Sequence, residues 1–295
     1  MPSSQQRRPN AEPNGNGLAL MGTNKTFVGA TSAAGSNLIT NFIIGNGVSS
    51  DANHGAAGYP NGEVLEFSDE KDRGSGIIVS AGAGGTTIGG ARANVLIRNH
   101  VDGILVDSGS WDSDPTGTVI QGNHIGVGGN GTSAFANGEE GVSIGVSDVQ
   151  VGGTAPGAGN LIANNLTGVA LGAHVKDVPI LSNSIWANRF GIAETTPEPA
   201  TPSIKTATVK SGVLTVTSEI QQHTGVAATI QVFSSTSCQD PEGRKLLGTS
   251  VATANSSGKS TVPVEVSGAA SGAAITVTLT ENSSTSEFSN CTTAQ

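Results

Sequence analysis

Apolar residues return at a regular interval along the first two thirds of the chain. Four similar apolar clusters are centred on Ile88, Ile120, Val151 and Ile180, which are 32, 31 and 29 residues apart. Within each cluster apolar and polar residues alternate, which is the period of a β-strand with one buried face. A repeat of about 30 residues with several short strands and no helical period predicts the stacked coils of a parallel β-solenoid.

A second column of motifs supports this architecture. A Gly followed by Ile or Val recurs once per unit, at 76–79, 103–106, 141–144, 168–171 and 191–192. The span 18–194 has room for about six long coils. The first two thirds of the chain are therefore predicted to form one parallel β-helix.

Asparagine marks the corners of the predicted coils. Asn123, Asn165, Asn183 and Asn188 each stand three residues after an isoleucine. Asn tolerates the left-handed backbone conformation, and stacked Asn side chains can hydrogen-bond along the stack. His100 stands at the same step, so the pattern predicts that it replaces Asn in this column.

The repeat ends at a proline-rich segment, 195–203, which we predict to be a stiff, extended linker. From 204 to 295 about seven short runs alternate with period two between Gly and Ser turns, which predicts an antiparallel β-sandwich. Residues 1–17 are polar and are predicted to be disordered. The sequence thus predicts an all-β protein, a parallel β-helix followed by a small antiparallel β-sandwich.

Composition and charge exclude several function classes. Gly makes up 42 of 295 residues and aromatic residues only 3 %, which suits strands joined by tight turns. The net charge is −9 and no basic patch occurs, so nucleic acid is not an expected partner. No apolar run reaches 18 residues, so no membrane span is expected, and the first residues lack the apolar core of a signal peptide.

The two cysteines, Cys238 and Cys291, lie 53 residues apart and lack C-x-x-C spacing. Two cysteines alone cannot complete a zinc site, so they form either a disulfide or two buried thiols. A disulfide would indicate an oxidising compartment, and we expect an extracellular or cell-surface protein.

Segment 1–17 has no amphipathic pattern that could cover the first coil, so we expect the natural chain to extend upstream. An open solenoid end also makes end-to-end self-association possible.

The repeat motifs resemble those of a known superfamily. VGGTAPGAGNLI (151–162), GNHIG (122–126) and NSIWANRFGI (183–192) are similar to right-handed parallel β-helix repeat proteins of the pectate-lyase-like superfamily, over about residues 20–195. That architecture serves lyases, hydrolases, epimerases and binding proteins, so the resemblance implies a fold and no single activity. Segments 232–238 and 285–291 resemble the immunoglobulin-like domain that often closes such bacterial proteins, which implies a Cys238–Cys291 pair.

Aspartates recur before one strand of successive units. Asp114, Asp148 and Asp177 precede the apolar clusters, and Asp107 and Asp112 share one predicted loop. Stacked carboxylates repel one another unless a cation lies between them, and oxygen ligands at this density suit Ca²⁺. The alternative is that Asp is simply a common turn residue.

A polysaccharide lyase would also need a base and positive charge near the substrate. The candidates are Lys176, Arg98 and Arg189, which could equally be solvated surface charges. A hydrolase would need paired carboxylates at a cleft, and Glu139 and Glu140 adjoin on a predicted loop but match no polygalacturonase motif.

Two long predicted loops, 45–75 and 126–140, could carry sugar-stacking aromatic rings. Tyr59 and Phe135 lie in these loops and Trp111 in the acidic loop, although such rings could also simply cover the coil beneath.

These sequence features lead to two hypotheses about the function of the protein. The first is a non-catalytic β-helix protein that serves as scaffold or adhesin or binds a polysaccharide or cell-surface glycan. The second is a Ca²⁺-dependent lyase that acts on uronate polymers.

Overall fold

The computed structural model describes residues 18–21, 27–28, 38–40, 74–80, 83–90, 93–108, 114–195, 199–221, 223–253, 259–267 and 270–295. The predicted disordered segment 1–17 lies outside these ranges. No residue in the described ranges is helical, as an all-β chain requires.

The first sixteen strands are short and pair with one another only in parallel. In chain order they are β1 (Leu18–Met21), β2 (Phe27–Val28), β3 (Leu38–Thr40), β4 (Ile77–Ser80), β5 (Thr87–Gly89), β6 (Val95–Ile97), β7 (Ile104–Val106), β8 (Thr118–Gln121), β9 (His124–Ile125), β10 (Glu140–Ile144), β11 (Val149–Gly152), β12 (Leu161–Ala163), β13 (Thr167–Leu171), β14 (Ile180–Leu181), β15 (Ser184–Trp186) and β16 (Phe190–Glu194). We call β1–β16 the parallel region.

Successive strands of the parallel region join three different sheets in turn. Sheet 1 has the order β1-β4-β7-β10-β13-β16, sheet 2 the order β14-β11-β8-β5-β2, and sheet 3 the order β15-β12-β9-β6-β3. Every third strand therefore returns to the same sheet beside its predecessor, as in a parallel β-helix. The predicted all-β fold with stacked parallel strands is confirmed.

The core of the parallel region consists of apolar side chains that stack in register. Ile104 pairs with Val142, Val142 with Val169, and Val169 with Ile192 along sheet 1. Equivalent columns run along sheets 2 and 3, and all these side chains belong to one buried cluster. Full burial of each such side chain contributes about 1.5–3 kcal/mol.

Two asparagine ladders run along the corners on either side of sheet 3. The members are Asn94, Asn123, Asn160 and Asn183 in one ladder and Asn99, Asn137, Asn165 and Asn188 in the other. Asn137 shows the repeating geometry, because its Oδ1 accepts both the backbone N–H of Asn99 at 3.1 Å and its side-chain N–H at 2.9 Å. Each amide thus satisfies donors that the turning backbone would otherwise leave buried and unpaired.

The placement of His100 in this column is wrong. Asn99 occupies the ladder position, and His100 lies exposed beside it. The preceding residue, Arg98, has φ 54°, so the left-handed corner falls one residue earlier than the isoleucine spacing indicates.

The last eight strands pair in antiparallel fashion and form two sheets, which we call the antiparallel region. The strands are β17 (Ser203–Lys210), β18 (Val213–Gln221), β19 (Ala227–Ser235), β20 (Lys245–Thr253), β21 (Lys259–Ser267), β22 (Ala274–Glu281), β23 (Ser284–Thr285) and β24 (Thr292–Thr293). One sheet has the order β17-β18-β21 and the other β20-β19-β22-β23, with β24 also paired to β22. A separate apolar cluster, which includes Leu214, Ile230 and Val277, fills the space between them. A disulfide joins Cys238 to Cys291, with 5.3 Å between the Cα atoms.

Candidate functional site

The outer face of sheet 1 carries small side chains on β10 and β13, beside a leucine on β7. In β7, β10 and β13 the inward residues alternate with Leu105, Ser143 and Ala170, which are paired in register and point away from the core. Gly145 and Gly172 follow β10 and β13 and add no side chain to this face. A depression therefore forms above the sheet, because its flanks carry longer side chains than its middle.

A cavity of about 300 Å³ opens on this face. Its walls include four carboxyl groups, those of Asp102, Asp107, Glu139 and Glu140, and its floor includes Ser143 and Ala170. None of the described residues that line it is Lys, Arg or His. Its electrostatic potential is therefore negative.

The carboxyl groups of Asp102, Glu139 and Glu140 form a compact cluster at one end of the cavity. One oxygen from each lies within 4.8 Å of the others. Asp102 and Glu140 come together because each stands two residues before a paired core residue, Ile104 or Val142, so they face each other on adjacent strands.

Asp102 is the buried member of the cluster, with 3 % of its surface exposed. Its Oδ1 accepts the backbone N–H of Glu140 at 3.1 Å, and its Oδ2 lies 3.4 Å from the Ser75 hydroxyl. Burial, followed by the hydrogen bond and charge of Glu140, raises the pKa of Asp102 from 3.8 to about 9. Asp102 therefore holds a proton at neutral pH, since no cationic side chain in the described part of the chain offsets the loss of solvent around its charged form.

This arrangement has two chemical capabilities. Three carboxylate oxygens within 4.8 Å of one another fit around a single Ca²⁺ ion, whose oxygen ligands lie about 2.3–2.6 Å from the metal. Without a cation, a protonated carboxyl can donate a proton to a bound ligand while a second carboxyl accepts one, which are the two roles that paired acids have in glycoside hydrolysis.

Comparison with known proteins leaves the family open. No family model matches the chain, and no curated protein matches it. Among the described residues, no helix is long and apolar enough to cross a membrane.

The predicted aspartate column is brought together only in part. Val151 pairs with Ile180, and Asp148 and Asp177 each precede these residues by three positions, so the two aspartates are in register. Asp114 precedes Ile120 by six positions and is out of register. Asp107 lines the cavity on sheet 1 instead, and Asp112 lies outside the described residues.

The backbone explains why aspartate occupies this column. Asp148 and Asp177 have φ 61° and 56° and lie exposed at the corner before sheet 2. Asp is among the few residues with a side chain that enter this left-handed region readily. The column thus meets a conformational requirement of the corner, and its binding of Ca²⁺ stays a prediction.

The three basic candidates lie at separate places. Lys176 is exposed at the corner between sheets 1 and 2, whereas Arg98 and Arg189 lie at the corner between sheets 3 and 1. Arg98 and Arg189 adjoin ladder residues three rungs apart, which corresponds to about 14 Å along the stack. The structure therefore does not gather them around one substrate position.

Phe135 is the one predicted aromatic residue in the described ranges, since Tyr59 and Trp111 lie outside them. Its ring lies under the Arg98 guanidinium, 4.7 Å from ring centroid to Cζ, in the loop that follows β9. Of the predicted loop 45–75, only residues 74 and 75 are described.

Asp102 is the functional candidate that the sequence interpretation missed. The signal was present in the Gly-Ile/Val motif, because the residue before this Gly occupies one column along sheet 1. That column holds Ser75, Asp102, Glu140, Thr167 and Phe190. Alignment of the units on this Gly would have placed Asp102 beside Glu140.

Proposed function

We propose that the chain is a non-catalytic protein of the right-handed parallel β-helix type, secreted or on a cell surface, that binds a polysaccharide on the outer face of sheet 1. On this proposal the parallel region is a rigid scaffold of about six coils related to the pectate-lyase-like superfamily. The antiparallel region is an immunoglobulin-like closing domain.

The cavity above sheet 1 carries the proposal. It combines a floor of small side chains with hydrogen-bonding and charged walls, which is the kind of surface that accepts the flat, hydroxyl-rich rings of a sugar polymer. The rows of in-register core residues hold the underlying strands rigid, so binding would require little ordering of the protein. The disulfide supports an oxidising compartment, in which such polymers are met.

The charge of the cavity restricts the ligand. The acidic lining of the cavity would repel a uronate polymer unless a cation bridged the two. We therefore propose that Ca²⁺, held by Asp102, Glu139 and Glu140, takes part in the binding of an acidic polysaccharide. A polymer with amino groups would bind without the ion.

The Ca²⁺-dependent lyase is the second candidate, and one observation favours it. The carboxylate cluster that could hold the ion lies inside the cavity rather than on an open surface. A lyase needs a base there as well, and Lys176, Arg98 and Arg189 are not among the residues that line the cavity. Binding without cleavage therefore ranks first.

One panel experiment separates the two candidates. The folded protein is mixed with polygalacturonate, alginate or chitosan, with Ca²⁺ or with EDTA, and both bound polymer and ultraviolet absorbance of unsaturated products are followed. Binding without product supports the proposal. Product that forms only with Ca²⁺ establishes the lyase, new reducing ends without absorbance indicate hydrolysis, and the absence of binding to all three polymers contradicts the proposal.

A further inference from the structure

The asparagine ladder beside sheet 1 ends on a residue of the antiparallel region. Asn188 is the last asparagine of this ladder, and its backbone N–H and its side-chain amide both donate to Glu242. The backbone N–H of Asn188 donates to Oε2 and the side-chain N–H to Oε1, each at 3.0 Å. In every earlier rung the same two donors meet the Oδ1 of the next Asn.

Other groups of the antiparallel region complete the last turn of the stack in the same way. Gly243 accepts the Ile185 backbone N–H at 2.9 Å, and the Thr285 hydroxyl accepts that of Ile180 at 2.8 Å. Phe288 packs against the apolar core of the parallel region. The donors and apolar surface that a further coil would have covered are therefore covered by the antiparallel region.

The electrostatics of this joint are unusual because Glu242 is only 3 % exposed and lies beside a second carboxylate. Asp240 is on the same loop, and its Oδ2 accepts the backbone N–H of Ala187 at 3.2 Å. On the facing elements, the Glu287 carboxylate accepts the Glu194 N–H, and the Arg189 and Arg244 guanidinium groups lie over Phe190 and Trp186. The hydrogen bond and charge of Asp240 act on Glu242 and oppose its ionisation.

We propose that Glu242 acts as the terminal rung of the asparagine ladder in its protonated form, so that the joint between the two regions is a pH-sensitive clasp that loosens in alkali. A neutral carboxyl still accepts from the two Asn188 donors, through its carbonyl oxygen and a lone pair of its hydroxyl oxygen, and can donate its own proton to Asp240. An ionised Glu242 would instead place two carboxylates together in a buried joint.

The direction of the pH effect follows from linkage. Burial, then Asp240, raises the pKa of Glu242 from 4.5 to about 8, while the Asn188 donors oppose this shift. The closed joint therefore holds a proton that the open joint releases. Closure is fully favoured below about pH 4.5 and weakens as the pH rises to about 8, by up to about tenfold in the opening equilibrium for each pH unit.

Hydrogen exchange of single backbone amides measures this opening directly. The amides of Ile185 and Asn188 bond across the joint, whereas that of Asn137 bonds within the ladder and serves as an internal control. After correction for intrinsic exchange, protection at 185 and 188 should fall more steeply between pH 5 and pH 8 than protection at 137, which reports any general loss of stability with pH. Equal pH dependence at the three amides would overturn the proposal.

Two variants test the role of the carboxyl group itself. Glu242→Gln keeps one oxygen that can accept both Asn188 donors, as the ladder asparagines do, so protection should remain and its pH dependence should vanish. Asp240→Asn removes the charge and the acceptor that raise the pKa of Glu242, so the loss of protection should span a narrower range and end at lower pH than in wild type. A wild-type pH slope that persists in Glu242→Gln, or an unmoved slope in Asp240→Asn, contradicts the proposal.

Discussion

Two columns of acidic side chains run along the parallel region, one at the corner before sheet 2 and one at the edge of sheet 1. Asp148 and Asp177 of the first column are exposed and occupy left-handed corners. Asp102 and Glu140 of the second column adjoin the cavity, and Asp102 is buried. Both columns have the same strand-to-strand spacing, so spacing alone does not separate a conformational role from a chemical one.

Solvent makes the difference between the columns. A carboxylate at an open corner keeps its water and needs no partner, whereas one packed against a sheet loses water and must find a proton or a cation. The raised pKa of Asp102, about 9, is the consequence of this loss. The comparison indicates that function is to be sought where the repeat buries a carboxyl group.

The largest expected effect is on the pH dependence of stability. Because its pKa is raised from 3.8 to about 9, folded Asp102 keeps a proton that the unfolded chain releases. Its stabilising contribution is complete below about pH 4 and is lost as the pH rises towards 9. In EDTA, wild type should lose stability relative to Asp102→Asn by on the order of 1 kcal/mol per pH unit.

Urea unfolding at pH 5, 7 and 9 checks this expectation. Asp148→Asn is the matched control, because the same change at the exposed corner should leave the wild-type pH profile unaltered. The contribution of Glu242 is common to all three proteins and cancels in the comparison. If the free energy of unfolding changed equally with pH in wild type and Asp102→Asn, the buried and the exposed acidic columns would not differ in their role.

A smaller effect is expected when the Asp102 side chain is deleted. Asp102→Ala leaves the partly buried N–H of Glu140 without its acceptor, which should cost about 1–3 kcal/mol. Asp148→Gly, at a left-handed corner, should change the free energy of unfolding by less than about 0.5 kcal/mol. Urea unfolding at pH 5 measures both, and a larger loss in Asp148→Gly would reverse the assignment.

Calcium titration sharpens the comparison further. If the ion binds in the cavity, Asp102→Asn should weaken Ca²⁺ binding by about tenfold or more, and wild type should release a proton on binding. The double variant Asp148→Asn, Asp177→Asn should bind within about twofold of wild type. Calorimetry in two buffers of different ionisation enthalpy measures both the Ca²⁺ affinity and the number of protons released. A larger loss of affinity in the double variant than in Asp102→Asn would place the ion at the corner column.

The sequence predicted the parallel strands well because each inward residue must match its counterpart one unit away. That requirement explains why Ile88, Ile120, Val151 and Ile180 recur at a regular interval along the chain. It predicted the ladders less well, since the rule counted from isoleucine and therefore chose His100, three residues after Ile97. Asn99 stands three residues after Leu96, which is the residue paired in register with Ile125.

Less could be predicted from the sequence about the cavity above sheet 1 and about the joint between the parallel and antiparallel regions. Asp102 and Glu140 are 38 residues apart, because the loop after β9 lengthens that unit and hides their common register. Glu242 follows Asn188 by 54 residues and belongs to a different sheet system, so no repeat rule connects them. Contacts of this kind depend on how two regions pack, which local periodicity does not encode.

The most direct test of the account is whether a polysaccharide binds in the cavity above sheet 1. Ala170→Trp would fill its floor, and Ala155→Trp would add the same ring at an exposed turn between sheets 2 and 3. Affinities for polygalacturonate, alginate and chitosan, each with Ca²⁺ and with EDTA, would be measured for wild type and both variants. The account predicts that at least one polymer binds wild type and Ala155→Trp equally and Ala170→Trp at least about tenfold more weakly. Unchanged binding by Ala170→Trp would contradict it.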